Sequence, residues 1–384
     1  MGRIALIVGC GLIGSATARI LAGDGVFDSI IVADKDGGRA RTLAKTLGDR
    51  AKAANVDITS QSGLESALSE VSVFLNTTGP FDRRVADAIE TSIRSGVPYA
   101  DVNDEVEVLR EVFANEHLDS LARERGVTVV PGLGVSPGQT NIIAGYLSSQ
   151  MDQVEEFRFL LVNDIRYRSE AVWRHRFRLF GGQAALYDDG AWIQVPGMSE
   201  FEDVEFPDPW GTIRCYTVGL EPITLPESFK DVKHVSMKRG FLHPLMGEMM
   251  RDFIRYGLTS EDRLEIGGGV TPAELSASLL SNPVTDHLFE FDSLPPELPR
   301  QVRAKGIKDG RPVELIVTYS YPSNMIQDAT ASCLAAGARS LVSGQVPEPG
   351  ILAPERLDPA PFLNDMRSGG VVFTLDEKYD VGRR

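Results

Sequence analysis

The chain has 384 residues, and chains of this length usually form more than one hydrophobic core, which predicts two domains. Hydrophobic residues make up 42% and charged residues 24% of it, a composition that is typical of folded proteins and excludes extensive disorder. The formal net charge of -15 disfavours nucleic acid as a partner, and no apolar run approaches the roughly 20 residues that span a bilayer.

Cysteine and histidine spacing argues against a disulfide framework and against a metal site. Cys10, Cys215 and Cys333 give an odd number without a C-x-x-C pair, so we expect reduced thiols. The five histidines form no H-E-x-x-H pattern, and we predict no bound metal. The first apolar run begins too near the first residue to follow a signal peptide, so we expect a cytoplasmic protein.

The first third of the chain alternates apolar runs with segments of helical periodicity. The predicted strands cover residues 3–8, 29–33, 53–56, 73–76, 99–102 and 127–130. The predicted helices cover residues 12–22, 38–47, 62–70, 82–95 and 105–125. Repeated strand–helix units predict an α/β fold class, with an N-terminal Rossmann domain built on a doubly wound parallel sheet.

A second domain of α+β type, with a mixed or antiparallel sheet, is predicted after Pro131, where the strands become longer. These strands are assigned to residues 156–162, 172–180, 212–220 and 235–239. A hairpin is predicted over residues 302–321, because Asp309-Gly310 tolerates the positive φ of a two-residue turn.

Two helices of the second half carry terminal signals. Thr271 is followed by Pro272 and by Glu274, the pattern of a capping box with proline in the first turn. The periodic segment 328–343 is followed by Gly344, a residue that commonly ends helices.

The segment Gly9-Cys10-Gly11-Leu12-Ile13-Gly14 directly follows a predicted strand and opens a predicted helix. In a dinucleotide-binding turn, Gly9 permits the tight turn, Gly11 lets the backbone approach the pyrophosphate, and Gly14 allows close helix packing. Leu12 and Ile13 would contribute unpaired backbone N–H groups at the helix N-terminus. The alternative is a glycine turn without a ligand.

Asp34 ends the second predicted strand, where a carboxylate would bind the ribose hydroxyls of NAD and repel the 2′-phosphate of NADP. Lys35 and Arg39 follow it and would partly offset its charge, so NADP remains possible. We therefore predict NAD as the preferred cofactor.

Two further loops follow predicted strands at the sheet edge where open α/β sheets bind ligands. Asp57 is placed to reach the adenine. Thr77, Thr78, Gly79 and Pro80 are placed beside the nicotinamide ribose. Each loop has the alternative of a simple turn rich in small residues.

Several segments together resemble the saccharopine dehydrogenase family. They are Val8 to Gly14, Leu75 to Phe81, Gly96 to Val102, Pro131 to Gly138, Lys305 to Gly310, and Ser343 through Gly350 to Glu355. Within the family, the chain's length and Asp34 look more like lysine 6-dehydrogenase than saccharopine reductase.

The resemblance implies oxidation of a C–N bond in an amino acid or secondary amine, or the reverse reaction. It also implies that residues 331–384 return to pack on a nucleotide-binding domain of residues 1–130. Residues 131–330 would then form a domain for substrate binding and dimerisation, giving a homodimer.

The family's Tyr-x-Asp segment supplies Tyr99 as a candidate substrate contact and Asp101 as a candidate catalytic residue. Asp101 would stabilise a developing iminium or accept the amine proton. The alternative is an aspartate that caps a helix or a loop.

Residues 173–178 alternate in a way that, on a strand, places Arg174, Arg176 and Arg178 on one face. Arginines bind carboxylates bidentately, so Arg174 and Arg176 are candidate substrate anchors. The alternative is a solvated sheet face. His175 is a candidate proton shuttle, and Glu221 and Arg239 at predicted strand ends are weaker catalytic and substrate-binding candidates, respectively.

The sequence therefore predicts an NAD-dependent dehydrogenase that acts on CH–NH or CH–NH2 donors in a small-molecule amino acid or amine. Two alternatives remain open: a non-catalytic NAD(H)-binding regulator, and a reductase of C=O or C=C bonds on the same scaffold.

Overall fold

The computed structural model describes residues 2–163, 169–264, 269–282, 294–322 and 325–379. The chain forms two compact units, and each is assembled from separate stretches of sequence. The first unit comprises Met1–Ser149, Glu221–Ser228 and Asn324–Val371. The second comprises Gln150–Leu220, Phe229–Ser323 and Val372–Arg384.

These boundaries differ from the predicted ones at both ends of the second domain. The first unit continues past residue 130 because the helix Gln139–Ser149 packs in it, with Ile142 in its hydrophobic core and the Gln139 amide donating to the Ala329 carbonyl. The last described residues instead form a strand of the second unit.

The first unit is organised around one parallel sheet. Its described strands are β1 (Ile4–Val8), β2 (Ser29–Asp34), β3 (Ala51–Asn55), β4 (Val73–Asn76), β5 (Tyr99–Asp101), β6 (Thr128–Val130) and β15 (Gly350–Ile351). Their spatial order is β15-β6-β5-β4-β1-β2-β3. The predicted doubly wound parallel sheet is confirmed.

Helices cover both faces of this sheet. They are α1 (Leu12–Gly23), α2 (Gly37–Leu47), α3 (Gln61–Leu68), α4 (Val85–Arg94), α5 (Val106–Phe113), α6 (Glu116–Arg125), α7 (Gln139–Ser149), α9 (Leu225–Ser228), α12 (Ile326–Ser343) and α13 (Pro359–Ser368). Strand β1 shows the consequence, because Ala5 and Ile7 enter one hydrophobic core while Leu6 and Val8 enter another. A strand buried on both sides is uniformly apolar.

The single helix predicted over residues 105–125 is wrong, because the structure has two helices there. Helix α5 ends at Phe113, and α6 begins after Asn115. The Asn115 side chain accepts a hydrogen bond from the Leu118 N–H at 3.1 Å, which is an N-cap.

The second unit contains a mixed sheet flanked by helices, as predicted. Its described strands are β7 (Gln153–Asn163), β8 (Gln183–Asp188), β9 (Ala191–Pro196), β10 (Phe201–Glu205), β11 (Thr212–Val218), β12 (His234–Phe241), β13 (Glu297–Lys308), β14 (Arg311–Pro322) and β16 (Phe373–Tyr379). The main order is β10-β11-β12-β7-β13-β14-β16, with β12 and β7 parallel, and the β8–β9 hairpin joins at β12. Its described helices are α8 (Glu170–Phe180), α10 (Pro244–Arg255) and α11 (Pro272–Ser281).

The strand predicted over residues 172–180 is wrong, because this segment is helix α8. The Ser169 hydroxyl caps it by accepting from the Val172 N–H. Trp173, Phe177 and Phe180 are buried together at helical spacing. The alternation of arginines with apolar residues therefore coincided with a 3.6-residue period, and packing of the aromatic rings favoured the helix.

Local turn and cap signals are confirmed. Asp309 and Gly310 both have positive φ, 51° and 70°, in the hairpin between β13 and β14. Thr271 and Glu274 form the complete capping box of α11. Gly344 ends α12 with a φ of 71°.

None of the described helices combines the length and apolar character needed to cross a bilayer. The described residues also contain no group of three or more His, Cys, Asp or Glu side chains placed to hold a metal ion.

Candidate cofactor site

The glycine turn between β1 and α1 is tightly packed at two of its three glycines. Gly9 has a φ of 107°, and a Cβ at Gly14 would lie 1.8 Å from the Gly9 carbonyl oxygen. The Thr77 hydroxyl donates to that same oxygen at 2.8 Å, which ties the turn to the end of β4. Gly9 and Gly14 therefore shape the loop, as their spacing predicts.

Gly11 differs because a Cβ built on it meets no atom within 4 Å. It is the N-cap residue of α1, and the described residues provide no side-chain hydrogen bond at this cap. Leu12 is 70% exposed and Ile13 is half-buried. The first turn of α1 thus offers free space and backbone donors, which are the features that bind phosphate.

Asp34 is held in place by two backbone donors. Its Oδ2 accepts from the Cys10 N–H at 2.8 Å and its Oδ1 from the Asp36 N–H at 2.9 Å. Burial, and then the Asp34 carboxylate, raises the pKa of the Cys10 thiol to about 11. The aspartate is therefore a fixed anionic group beside a neutral thiol.

A cavity of about 410 Å³ opens over this loop at the carboxyl ends of β1, β2, β3 and β4. Nine predicted cofactor residues line it, namely Gly9, Gly11, Asp34, Lys35, Asp57, Thr77, Thr78, Gly79 and Pro80. Its volume and mixed lining suit part of a dinucleotide. Gly14 is buried behind the wall, so its part is structural.

Asp57 forms an exposed part of the cavity wall. Its Oδ1 accepts hydrogen bonds from the N–H and hydroxyl of Thr59, at 2.9 and 2.7 Å, and these bonds lower the pKa of the carboxyl. Thr59 and Arg84 also line the cavity, and sequence reasoning missed both because neither belongs to a motif. Both lie in the loops that follow the ends of β3 and β4, and this position was the available signal for a cofactor contact.

Tyr99 and Asp101 lie on β5, and Asp101 ends that strand as predicted. Both side chains are fully buried. Asp101 Oδ1 accepts from the backbone N–H groups of Asn103 and Gly132, at 3.0 and 2.8 Å. The structure thus gives Asp101 an architectural part, and the catalytic role of Asp101 and the substrate contact of Tyr99 stay predictions.

The arginine row of residues 174–178 does not form, because α8 is a helix. Arg174 is paired instead with two carboxylates, Glu261 at 2.8 Å and Glu274 at 3.7 Å. Arg176 lies 5.8 Å from the Trp173 ring centroid. The side chain of His175 lies outside the described residues, so its role as a proton shuttle stays a prediction.

The two remaining candidates are both buried but belong to different units. Glu221 lies beyond the end of β11, in the stretch that joins the first unit rather than the predicted second domain. Arg239 lies on β12 in the second unit, where its Nη1 donates to Asn163 Oδ1 at 3.2 Å.

Comparison with known proteins identifies the first unit. Residues 5–130 match the family model described as saccharopine dehydrogenase NADP binding domain. The carboxynorspermidine synthase of Vibrio alginolyticus is 24% identical over 276 residues, covering 66% of this chain and 64% of that protein. The carboxyaminopropylagmatine dehydrogenase of Synechocystis is 21% identical over 389 residues, covering 95% and 96%.

These comparisons relate residues 5–130 to the NADP-binding domain of the saccharopine dehydrogenase family. The saccharopine dehydrogenase (L-Glu forming) of Saccharomyces cerevisiae has the same fold, with a TM-score of 0.72, 16% identity, and coverage of 98% of this chain and 100% of that one. Residues 5–130 of the first unit are therefore an NAD(P)-binding domain of Rossmann type. The match to the Vibrio synthase spans less than two thirds of that protein's length.

Proposed function

We propose that this chain is an NAD-dependent dehydrogenase acting on a C–N bond of a carboxylated amine. The observation that carries the proposal is the cavity over the glycine turn, in a chain whose relatives are named for carboxylated amines. Bound nicotinamide would supply hydride transfer. The protein has to hold the substrate carboxylate and exchange one proton with the nitrogen.

The preference for NAD rests on Asp34, whose carboxylate lines the cavity and would repel a 2′-phosphate. Lys35, Arg39 and Arg84 line the same cavity and oppose this effect. We expect NADH to bind more tightly than NADPH. Asp34→Asn should reduce the ratio of the NADPH to the NADH dissociation constant at least fivefold. Fluorescence titration with both cofactors measures this, and equal affinities in the wild type would contradict it.

For the substrate carboxylate we propose an anchor made by Arg239 and Arg300 in the second unit. The strand register places them on either side of Leu161, on β12 and β13, so that their side chains share one face of the sheet. Arg300 is only 3% exposed, and its guanidinium lies 5.4 Å from the Tyr321 ring centroid.

The electrostatics of Arg300 favour an anionic partner. Burial, and to a smaller degree the charge of Arg239, lowers the pKa of Arg300. Among the described residues, no carboxylate forms an ion pair with Arg300. Its Nη1 donates to the Leu298 carbonyl at 3.4 Å, and its Nε has no hydrogen-bond partner. A buried cation without a counter-charge is costly, and a substrate carboxylate would remove that cost.

Replacing Arg300 tests the anchor. Arg300→Lys keeps the charge but loses the planar fork, so we expect KM for a carboxylated amine to rise about 10- to 100-fold, the loss of a charge-assisted hydrogen bond. KM for the corresponding amine without the carboxylate should stay the same. The exposed Arg214→Lys in the same unit is the matched control, and equal effects of both variants on KM would argue against the anchor.

The activity is tested by NADH formation across L-lysine, saccharopine, carboxylated polyamines, other amino acids and alcohols. If alcohols were turned over and no amine was, the C–N assignment would be overturned in favour of C=O or C=C chemistry. Tight NADH binding without turnover of any compound would favour a non-catalytic NAD(H)-binding regulator.

We also propose a homodimer and a cytoplasmic location. Support for the dimer comes from the family resemblance alone, and light scattering after size-exclusion chromatography measures it directly. A monomeric mass at micromolar concentration would contradict it.

A further inference from the structure

A line of buried polar side chains runs from the cofactor cavity into the core of the first unit. Asn76 ends β4 and is 1% exposed, while Tyr99 and Asp101 on the neighbouring strand β5 are 0% exposed. The Asn76 amide donates to the Tyr99 hydroxyl at 3.0 Å, and that hydroxyl donates to Asp101 Oδ2 at 2.8 Å.

The other end of the line is Thr78, which lines the cavity. Asn76 Oδ1 accepts from the Thr78 N–H at 3.0 Å and from the Thr78 hydroxyl at 2.7 Å. Thr78, Asn76 and Tyr99 therefore connect the cavity wall to the Asp101 carboxylate, which has no exposed atom.

The direction of these hydrogen bonds follows from the charge of Asp101. An ionised carboxylate only accepts, so Tyr99 must give its single proton to it and can only accept from Asn76. Asn76 must then turn its NH2 group towards Tyr99 and its oxygen towards Thr78. The Thr78 hydroxyl gives its proton to that oxygen, which leaves its lone pairs for a donor in the cavity.

We infer that Asn76, Tyr99 and Asp101 are positioning residues that hold the Thr78 hydroxyl as a hydrogen-bond acceptor for the sugar hydroxyls or the carboxamide of the bound dinucleotide. Tyr99 and Asp101 lie behind the cavity wall, whereas Asn76 forms part of that wall. The inference rests on cofactor binding in this cavity and is independent of the proposed amine substrate.

At neutral pH the hydrogen bonds keep this direction, because the pKa of Asp101 is raised but stays below 7. Burial raises the pKa of Asp101 to about 6, against the opposing effect of the hydrogen bonds from Gly132, Asn103 and Tyr99. Asp104 is the nearby charged group that adds to the rise, and burial also raises the pKa of Tyr99, which keeps its proton in place.

The test is the dissociation constant for NADH measured by nicotinamide fluorescence, with thermal melting recorded in parallel. Tyr99→Phe removes the hydroxyl that links Asn76 to Asp101. Asp101→Asn allows the series of hydrogen bonds to reverse its direction. Each variant should therefore weaken NADH binding about 5- to 10-fold. The double variant should lose no more NADH affinity than Tyr99→Phe alone, because both changes act through the same series of hydrogen bonds. In the wild type, affinity should fall as the pH drops through about 6, and in Asp101→Asn it should not.

Ser92→Ala is the control for a purely structural effect. Its hydroxyl is buried in the same unit and donates to the Val97 carbonyl at 2.7 Å, so its loss should lower the melting temperature without changing NADH affinity. Thr78→Val removes the acceptor at the cavity wall and should weaken NADH binding without unfolding the protein.

Wild-type affinity in folded Tyr99→Phe and Thr78→Val would overturn the inference. If the wild type bound neither NADH nor NADPH, both the cofactor site and the positioning role of the hydrogen-bonded residues would be contradicted. Failure of the amine panel alone would leave the inference standing, because NADH binding does not require a substrate.

Discussion

Gly11 and Gly14 stand one helical turn apart, yet they have to be glycine for different reasons. A Cβ at Gly14 would collide with the Gly9 carbonyl and lie 2.5 Å from the Thr77 hydroxyl oxygen. A Cβ at Gly11 would enter empty space at the mouth of the cavity. The fold requires glycine at position 14, and we propose that the cofactor requires it at position 11.

Gly11→Ala should therefore separate cofactor binding from stability. Gly11 has a φ of -76°, which alanine adopts without strain, so we expect the melting temperature to change by no more than about 2 °C. The added methyl group occupies the approach of the pyrophosphate and should raise the dissociation constant for NADH at least tenfold. Unchanged NADH affinity in a fluorescence titration would contradict the placement of the cofactor's phosphates at this turn.

Gly14→Ala should lower both stability and affinity, because the Gly9 turn and Thr77 would have to move. We expect a loss of about 2 kcal/mol or more in the free energy of unfolding, the range for overpacking a buried site. Gly23→Ala near the end of the same helix is the control, since its Cβ meets nothing within 4 Å. Equal unfolding midpoints in urea for the two variants would contradict this prediction.

Asp101 makes stability depend on pH in a direction unusual for a carboxylate. Its folded pKa of about 6 lies above the ordinary value of 3.8, so between these values the folded state holds the proton more tightly. Stability from this group is greatest below about pH 4 and falls as the pH rises to about 6.

Asp101→Asn should remove this dependence. Relative to the variant, the wild type should lose up to about 3 kcal/mol of unfolding free energy between pH 4 and pH 6. Urea denaturation of both proteins across this range measures the difference. A difference that stayed constant would place the pKa of Asp101 at its ordinary value, and one that grew in favour of the wild type with rising pH would place it below that value.

Residues whose role depends on contiguous sequence could be predicted, and residues whose role depends on strand pairing could not. The glycine turn and Asp34 are set by a strand, a turn and a helix that follow one another, so the motif located the cavity. The burial of Asp101 depends on the neighbouring segment around Gly132. The position of Arg300 beside Arg239 depends on the register of β13 against β7.

At the scale of elements, helix α8 shows how side-chain patterns become ambiguous. Its sequence satisfies a two-residue alternation and a 3.6-residue period at once, and only packing distinguishes them. Helix α11 was clear from sequence because Thr271 and Glu274 cap it through backbone atoms of the same segment. Local signals determine where helices begin, whereas tertiary contacts determine whether an amphipathic segment is a helix.

The capping box of α11 gives a prediction at this scale. Thr271→Ala removes the acceptor for the Glu274 N–H, so we expect a loss of about 1 kcal/mol in the free energy of unfolding. Thr271→Ser keeps the hydroxyl and should lose much less. Urea denaturation compares the two variants, and equal losses would mean that the hydroxyl does not act as a cap.

At the scale of the whole molecule, the cofactor site is confined to the first unit. At a concentration one hundred times its dissociation constant, NADH should add about 2.7 kcal/mol to the stability of whatever unfolds with the site. Hydrogen exchange should show the strongest new protection at the starts of α1 and α4. Protection confined to the hairpin of β13 and β14 would contradict the assigned site.

The interleaved stretches of the two units determine when each can be completed during synthesis. Helix α12 packs against α1 and supplies Leu334 and Leu341 to the core that Ile7 enters. The sheet formed by the first 149 residues must therefore wait for a segment that ends at Val371. At a ribosomal rate of about 5–20 residues per second, this leaves one apolar face of the nascent sheet exposed to solvent for about 10–45 s.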